Sequence, residues 1–319
     1  MGEILGIFMS RADGPAARQS EVAGKFDPAV CDFAWNLPYT TSTGMSIPFA
    51  HKEATGNVTW YHFAWQQDNQ STSVDGWTHT IRDATGLGIL LIDFIDGKIR
   101  LNVTGSTTGY SGTQIGPGSL TRVDIRVEMD TGTDVKLYMD GGRYPFLHGS
   151  VADKGTRGKP AQLVYQNWDS AAMWMSETYV ADFDTRGTRM VKQLVDAVGA
   201  HTDWAGGYSE LGDENMATGA DGAAAGDKVS VNVEAYPGPA SLGGINRVLA
   251  KVTGSRGAAG PQKIDPFVRI ASTDYSAGDI GPVEVPLAYI AEWAINPNTG
   301  AEWGTAALDT TEFGLEAKT

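Results

Sequence analysis

The sequence predicts an all-β protein made of two antiparallel β-sandwiches. The clearest observation is the stretch 123–142, where apolar residues alternate with charged ones, stop at a turn, and then alternate again. A period of two is typical of strands that bury one face. The 40 glycines and the low share of charged residues, 19%, favour many tight turns over long charged helices.

The first predicted domain spans residues 26–184 and follows an N-terminal arm, residues 1–25, that shows no clear period. No helical period separates its predicted strands, which favours an antiparallel sandwich. The strands are marked by alternation or by aromatic and β-branched residues: 58–66, two strands in 87–105 around the turn dipeptide Asp96-Gly97, the hairpin 123–139, and 172–183.

A change of pattern at 185–200 predicts the connector between the domains. Met190, Leu194 and Val195 can share one helical face, so a short helix or turn is expected there. A second, smaller β-sandwich is then predicted at 201–319. Its strands are 229–236, 245–255, 263–272 and 283–295.

Composition excludes several classes of function. The net charge is −14, and duplex nucleic acid needs clustered Lys and Arg, so we expect no nucleic-acid partner. No run of about 18 apolar residues exists, so no membrane insertion is expected. The single cysteine, Cys31, allows no internal disulfide and fits assembly in a reducing cytoplasm. The first residues lack a basic segment followed by an apolar run, so no signal peptide is expected.

Several segments then carry a resemblance to a known family. After the hairpin VDIRVEMDTGTDVKLYMDGG come, in this order, YVADFDTRGTRMV (179–191), WAGGYSELGDEN (204–215), RGAAGPQKIDPFVRIASTDY (256–275) and WAINPNTGAEWGTAALDTTEFGLE (293–316). The order resembles structural proteins of tailed bacteriophages in which a laminin-G-like, concanavalin A-like jelly roll precedes a small β domain. The resemblance covers about residues 26–316 and implies a virion location and a homo-oligomer, most simply a trimer. It transfers no catalytic residue.

Catalytic residues are a question for this chain, because the concanavalin A-like folds that it resembles include glucanases that carry two carboxylates on one strand as Glu-x-Asp-x-Glu. A retaining pair must lie about 5 Å apart. This sequence lacks that motif. Asp124, Arg126 and Glu128 share a face, but Arg126 would pair with the acids, and a solvated sheet face explains them more simply. Glu210, Asp213 and Glu214 lie in a Gly-rich loop and are weaker candidates. We therefore predict no catalytic residue and no enzymatic activity.

Metal binding has one candidate set. Laminin-G-like domains sometimes hold calcium at a loop edge with oxygen ligands, and hairpin ends can bring short carboxylates together. The candidates here are Asp130, Asp134 and Asp140, although Asp is also a preferred turn former. The five histidines show no zinc spacing. No cofactor is expected beyond this calcium site.

Aromatic residues supply the candidate contact sites. The chain has nine tryptophans. Those at 60, 65, 174 and 293 lie in apolar strand contexts and are predicted to be core. Four further aromatic residues lie in polar or Gly-rich loops, where rings stack on sugars, anchor subunit interfaces or pack locally. They are Trp77, Tyr110, Tyr144 and Trp168.

The sequence therefore predicts a phage virion structural protein, displayed on the particle as a tail fibre, minor tail protein or head appendage. Other virion proteins are its expected partners, and host-surface polysaccharide is a further candidate. A free-standing carbohydrate-binding lectin is the first alternative. A glycan-degrading enzyme is the second.

Overall fold

The computed structural model describes residues 4–8, 19–20, 26–31, 34–37, 45–48, 55–67, 77–95, 98–104, 106–109, 111, 118–167, 173–214, 218–236 and 244–319. The chain divides into two compact units, Met1–Met190 and Val191–Thr319. Both are built almost entirely from antiparallel strands, so the predicted all-β fold class is confirmed. No helix among these residues is long and apolar enough to cross a lipid bilayer.

The first unit is a sandwich of two antiparallel sheets. The eight-stranded sheet has the order β12-β11-β10-β5-β14-β3-β2, with β1 also paired to β14, and the six-stranded sheet has the order β4-β13-β6-β7-β8-β9. The strands are β1 (Ile4–Phe8), β2 (Gln19–Ser20), β3 (Ala34–Leu37), β4 (Met45–Pro48), β5 (Val58–Gln67), β6 (Trp77–Asp83), β7 (Gly88–Ile95), β8 (Lys98–Val103), β9 (Ser106–Thr107), β10 (Thr121–Met129), β11 (Thr133–Met139), β12 (Leu147–Val151), β13 (Pro160–Asn167) and β14 (Met173–Ala181).

The predicted hairpin at 123–139 forms as β10 and β11. The two strands pair in unbroken register from Val123 opposite Met139 to Met129 opposite Thr133. Val123, Ile125 and Val127 enter the core between the sheets, together with apolar residues of the six-stranded sheet. Because side chains alternate along a strand, Asp124 and its even-numbered neighbours lie on the outer face of the eight-stranded sheet.

The prediction that residues 1–25 form an N-terminal arm is wrong for residues 4–8. Residues 4–8 form β1, which pairs with β14 from Ile4 opposite Ala181 to Phe8 opposite Thr178. Ile4 and Leu5 are buried, and Leu5 belongs to the core between the two sheets. The apolar side chains of this short segment therefore stabilise the first unit instead of extending from it.

The second unit contains a five-stranded sheet and a two-stranded sheet. Their orders are β15-β16-β21-β18-β19 and β17-β20. A core of Val248, Trp293, Val268, Ile270 and Trp303 lies between them. The elements are β15 (Val195–Thr202), α1 (Tyr208–Gly212), β16 (Lys228–Val233), β17 (Val248–Gly254), β18 (Lys263–Ile270), β19 (Thr273–Ser276), β20 (Leu287–Trp293), α2 (Thr305–Leu308) and β21 (Glu312–Lys318).

The predicted connector at 185–200, a short helix or turn, is wrong in its second half. Its second half is β15, an edge strand of the five-stranded sheet whose residues alternate between half-buried and exposed. Its first half, 185–190, belongs to the first unit. The apolar residues that suggested one helical face therefore belong to two different units: Met190 to the first unit, and Leu194 and Val195 to the second.

Candidate functional site

A cluster of charged side chains lies on the outer face of the eight-stranded sheet. We call it the ionic cluster. Its members come from β5, β10, β14 and the loops 26–31 and 182–190. They are Asp27, His62, Arg122, Asp124, Glu177 and Arg189.

At the centre of the ionic cluster, His62 lies between two carboxylates. Its Nδ1 is 2.8 Å from Oδ1 of Asp124, and its Nε2 is 3.9 Å from Oε2 of Glu177. All three side chains are buried, with exposed fractions of 2% or less. The imidazole also stacks on the Tyr179 ring, with centroids 4.8 Å apart. Buried charges of this kind persist only where opposite charges lie beside them, because an unpaired buried charge is strongly destabilising.

Two arginines close the ionic cluster on its outer side. Arg122 donates to Glu177 from Nε at 3.2 Å and to Asp27 from Nη2 at 3.1 Å. Arg189 donates from Nη2 to the same two carboxylates, at 3.2 Å to Glu177 and 2.8 Å to Asp27. The partners Asp27 and Arg189 are 162 residues apart in sequence. These bonds therefore join the beginning and the end of the first unit.

The backbone at Glu177 takes an unusual conformation to deliver this carboxylate. Its φ is +53°, which places a glutamate in the left-handed region. The residue lies where the register between β14 and β5 shifts, between Ser176 and Tyr179. A bulge of this kind re-aims a side chain. Here it allows Glu177 to join His62 and both arginines on the outer face.

The loop 184–189 covers this face and bonds to it. The Thr185 hydroxyl donates to Oδ1 of Asp124 at 2.6 Å, and Thr185 is fully buried. The Arg186 guanidinium lies 4.4 Å from the centroid of Tyr138 and 5.4 Å from that of Trp60. Cation–π contacts of this kind add to the attachment. The cluster and these rings therefore fix the loop to the sheet.

The electrostatics of the cluster favour its charged state. Burial alone would lower the pKa of His62, but its hydrogen bond to Asp124 and its charge contacts with Asp124 and Glu177 outweigh burial and raise that pKa. Burial alone would raise the pKa of Glu177, but His62, Arg189 and Arg122 hold it below its usual range. The pKa of Asp27 is lowered in the same way, since bonds from Arg189 and the Ala29 N–H outweigh burial.

These pKa shifts predict how stability depends on pH. A raised folded-state pKa means that His62 stabilises the fold fully below its unfolded pKa of about 6.5, and that this contribution is lost as pH rises through the folded value. His62→Gln is therefore expected to lose stability relative to wild type, and the difference should shrink above the folded pKa. Urea unfolding across a pH series measures this. A difference that grows with rising pH would contradict the charged state of His62.

A second loop, residues 140–146, lies beside this covered face; we call it the Tyr144 loop. Arg122 and Asp140 join it to β10: the Asp140 N–H donates to the Arg122 carbonyl at 2.8 Å, and the Arg122 N–H donates to Oδ1 of Asp140 at 2.9 Å. The turn needs φ of +48° at Asp140 and +73° at Gly141, a conformation that suits Asp and Gly. Arg186 also donates to the Arg143 carbonyl at 3.1 Å.

The Tyr144 side chain projects from this well-anchored loop into solvent. It is 77% exposed, the highest value among the exposed large apolar residues of the described chain. The Arg143 guanidinium lies 5.8 Å from the centroid of its ring. An aromatic ring beside a cation, on a backbone held in place, is suited to stacking on a flat ligand surface.

Of the four predicted contact aromatics, Tyr144 is therefore the one whose exposure is established. Trp77 begins β6, and its side chain lies outside what the structure describes. Tyr110 and Trp168 lie outside the described residues. The four tryptophans predicted to be core are buried, as the sequence indicated: Trp60, Trp65, Trp174 and Trp293.

The predicted calcium residues are not brought together. Asp130 lies in the β10–β11 turn, whereas Asp140 lies beyond the other end of β11, a strand of 7 residues. The Asp134 carboxylate already contacts His148 at 2.5 Å and Lys136 at 3.2 Å. Burial would raise the pKa of Asp134, but these two partners lower it. The three aspartates therefore do not form the expected calcium ligand set. Asp130 and Asp140 lie beyond opposite ends of β11, and Asp134 is paired with His148 and Lys136.

The interpretation of Asp124, Arg126 and Glu128 as a solvated face is only partly right. Arg126 does pair with Glu128, at 2.7 Å. Asp124, however, is 1% exposed and lies under the loop 184–189. The charge alternation along β10 therefore marks a covered polar face at one end and an exposed one at the other.

Comparisons with known proteins identify no family for this chain. No family model and no curated protein matches it. Among solved structures, the endo-β-1,4-glucuronan lyase of Trichoderma reesei is 15% identical, covers 52% of this chain and 87% of its own, and has a TM-score of 0.38. A GH131 β-glucanase catalytic domain from Podospora anserina is 11% identical, with 56% and 95% covered and a TM-score of 0.36. The galectin LEC-6 of Caenorhabditis elegans is 8% identical, with 44% and 93% covered and a TM-score of 0.29.

These comparisons correct the prediction that the chain is not an enzyme. The similar structures include catalytic domains that act on glycans as well as a galectin. The lack of a Glu-x-Asp-x-Glu strand motif removes one arrangement of catalytic carboxylates and does not decide the class. At these identities and TM-scores the likeness transfers no residue role to this chain.

Proposed function

We propose that this chain is an adhesion protein displayed on the surface of a tailed-phage virion, and that its Tyr144 loop contacts host-surface glycan. The observation that carries the proposal is a 77% exposed tyrosine on a loop held by backbone and side-chain hydrogen bonds. Binding of a ligand over a large exposed aromatic ring is favourable, because it removes apolar surface from water. A preorganised loop also loses little conformational entropy on binding.

The chemical groups of a sugar are complementary to those of the Tyr144 loop. One face of a pyranose presents C–H groups that stack on an aromatic ring, while its hydroxyls need donors and acceptors around it. Arg143 supplies donors beside the ring, and the ion pair of Asp184 with Arg186 lies on the adjoining loop. The proposed ligand is a surface polysaccharide that offers many copies of one such unit, so that weak single contacts add by multivalency.

The virion part of the proposal rests on the resemblance of segment order to phage structural proteins. It implies assembly with other virion proteins in several copies, after synthesis in the bacterial cytoplasm. Mass spectrometry of purified particles tests it directly. Recovery of the chain from intact virions is expected, and recovery only from the free protein of the lysate would overturn this part.

Tyr144→Ala is expected to lower the affinity for a bound polysaccharide about tenfold or more, because a central aromatic contact is removed. Tyr144→Phe should keep most of it, since the stacking surface remains. Binding of the full chain to an array of immobilised bacterial polysaccharides gives the readout.

Leu87→Ala is the matched control, since Leu87 is also an exposed loop residue, at 42%. It should leave the array signal unchanged. Equal signals for wild type and Tyr144→Ala would remove the Tyr144 loop from the binding site. No signal on any polysaccharide would overturn the glycan proposal itself.

A further inference from the structure

The second unit carries a concentrated exposed apolar segment that the proposed function does not use. Of the eight exposed large apolar residues in the described chain, four fall between residues 283 and 295. Val283, Val285 and Leu287, which are 40%, 61% and 41% exposed, form what we call the apolar strip. Ile295 lies beyond the far end of β20. Clustered exposed apolar side chains mark interaction surfaces, whereas scattered ones do not.

The backbone around the apolar strip is fixed. The Val283 N–H donates to the Tyr289 hydroxyl at 3.1 Å, and the Arg256 N–H donates to the Val283 carbonyl at 2.9 Å. The strip leads into β20, whose pairing in the described residues is with β17 alone. Within the described residues the other edge of β20 is unpaired, and an unpaired strand edge is a template for further contacts.

Two charged residues beside the apolar strip indicate which kind of partner it contacts. Glu284 lies within the strip and Arg256 is bonded beside it, and both residues are exposed. The Arg256 guanidinium contacts the neutral side chain of Gln262 at 3.2 Å. Within the described residues neither Glu284 nor Arg256 forms an ion pair, although most other charged groups of this unit do.

We infer that the apolar strip is a contact between copies of this chain. A basic partner would satisfy Glu284 and leave Arg256 without a counter-charge, and an acidic partner would do the reverse. A second copy supplies both charges, so that each Glu284 meets an Arg256 of its neighbour. Reciprocal pairs of this type fix register in homo-oligomers. They also offset the repulsion between two chains of net charge −14.

The inference does not depend on glycan binding, since it concerns a different unit and a different surface. Glu284 and Arg256 have no part in the Tyr144 loop or in the ionic cluster. Failure of the glycan experiment therefore leaves this inference standing, and the reverse also holds.

A charge exchange tests the inference. The full-length wild type should self-associate, as measured by sedimentation velocity across a range of concentrations. E284R and R256E should each weaken association about tenfold, because like charges then meet. The double variant E284R/R256E should restore it, and so should an equimolar mixture of the two single variants.

V285E tests the apolar part and should also weaken association about tenfold or more. V198E is its matched control, because Val198 is an exposed valine, at 49%, on the edge strand β15. It should associate as wild type does. A monomeric wild type, unchanged association in the single charge variants, no rescue in the double variant, or equal loss in V198E would each overturn the inference. Circular dichroism of every variant confirms that the fold is retained.

Discussion

Glu177→Gln is expected to lower the free energy of unfolding of the first unit by about 3 kcal/mol. The change keeps the size of the side chain and removes one buried charge. Arg122 and Arg189 would then share the single carboxylate of Asp27, and His62 would lose one of the two acids that raise its pKa. Removal of one partner from a buried ion pair typically costs 3–5 kcal/mol, because the remaining charge stays buried.

The matched control for this substitution is Glu128→Gln. Glu128 also pairs with an arginine on the outer face of the same sheet, but it is 41% exposed. An exposed ion pair contributes about 0–1 kcal/mol. Chemical denaturation of both variants gives the comparison. Equal losses would mean that the ionic cluster does not hold the first unit together.

Gly314→Ala is expected to destabilise the second unit by about 3 kcal/mol. Gly314 lies on β21 between Phe267 of β18 and Ser230 of β16. A Cβ here would overlap the Phe267 ring and lie 2.6 Å from the Val229 carbonyl oxygen. The ring has little room to move, since it is 2% exposed and is covered by His201 and Lys228. Overpacking of this type usually costs 1–3 kcal/mol and sometimes more.

Gly219→Ala serves as the control, since a Cβ at Gly219 would meet no atom within 4 Å. It should change stability by less than about 0.5 kcal/mol. Phe267→Leu removes the ring atoms that overlap the new Cβ, so the double variant should lose less than the sum of the two single changes. Differential scanning calorimetry of the wild type and the four variants measures these values. A Gly314→Ala protein as stable as wild type would show that the ring is not held over the glycine.

Elements with strong local signals could be predicted from sequence. The hairpin of β10 and β11 has alternating apolar residues on both strands and a turn between them, and it forms with those apolar residues in the core. The predictions failed where pairing is distant. The strand β1 lies next to β14, more than 160 residues later, and its five residues are too few to show a period. In β15, an edge strand, half the residues are exposed, so little apolar alternation remains.

The ionic cluster could not be predicted from the sequence either, because it depends on contacts between distant residues. Its residues come from widely separated parts of the chain, and no local spacing links Asp27 to Arg189. The alternation along β10 correctly placed Asp124 outside the core. It could not show that the loop 184–189 would cover that face. Tyr144 was predicted as a contact candidate from its polar loop, but the bonds that fix this loop come from Arg122 and Arg186.

The ionic cluster and the Tyr144 loop are connected through Arg122, which bonds to both. Arg122 bonds to Glu177 with its side chain and to Asp140 with its backbone. Arg186 stacks on Tyr138 and bonds to the Arg143 carbonyl. The buried charges thus stabilise the surface from which Tyr144 projects. Loss of the cluster should therefore weaken glycan binding as well as stability.

The central claim is that the chain attaches to surface polysaccharide, and binding to cells tests it most directly. Purified full-length protein would be applied to a panel of encapsulated bacterial strains and to the same strains stripped of capsule. The account predicts saturable binding to at least one strain, its loss on stripping, and its loss with Tyr144→Ala. Binding that is equal before and after stripping, or absent from every strain, would contradict it.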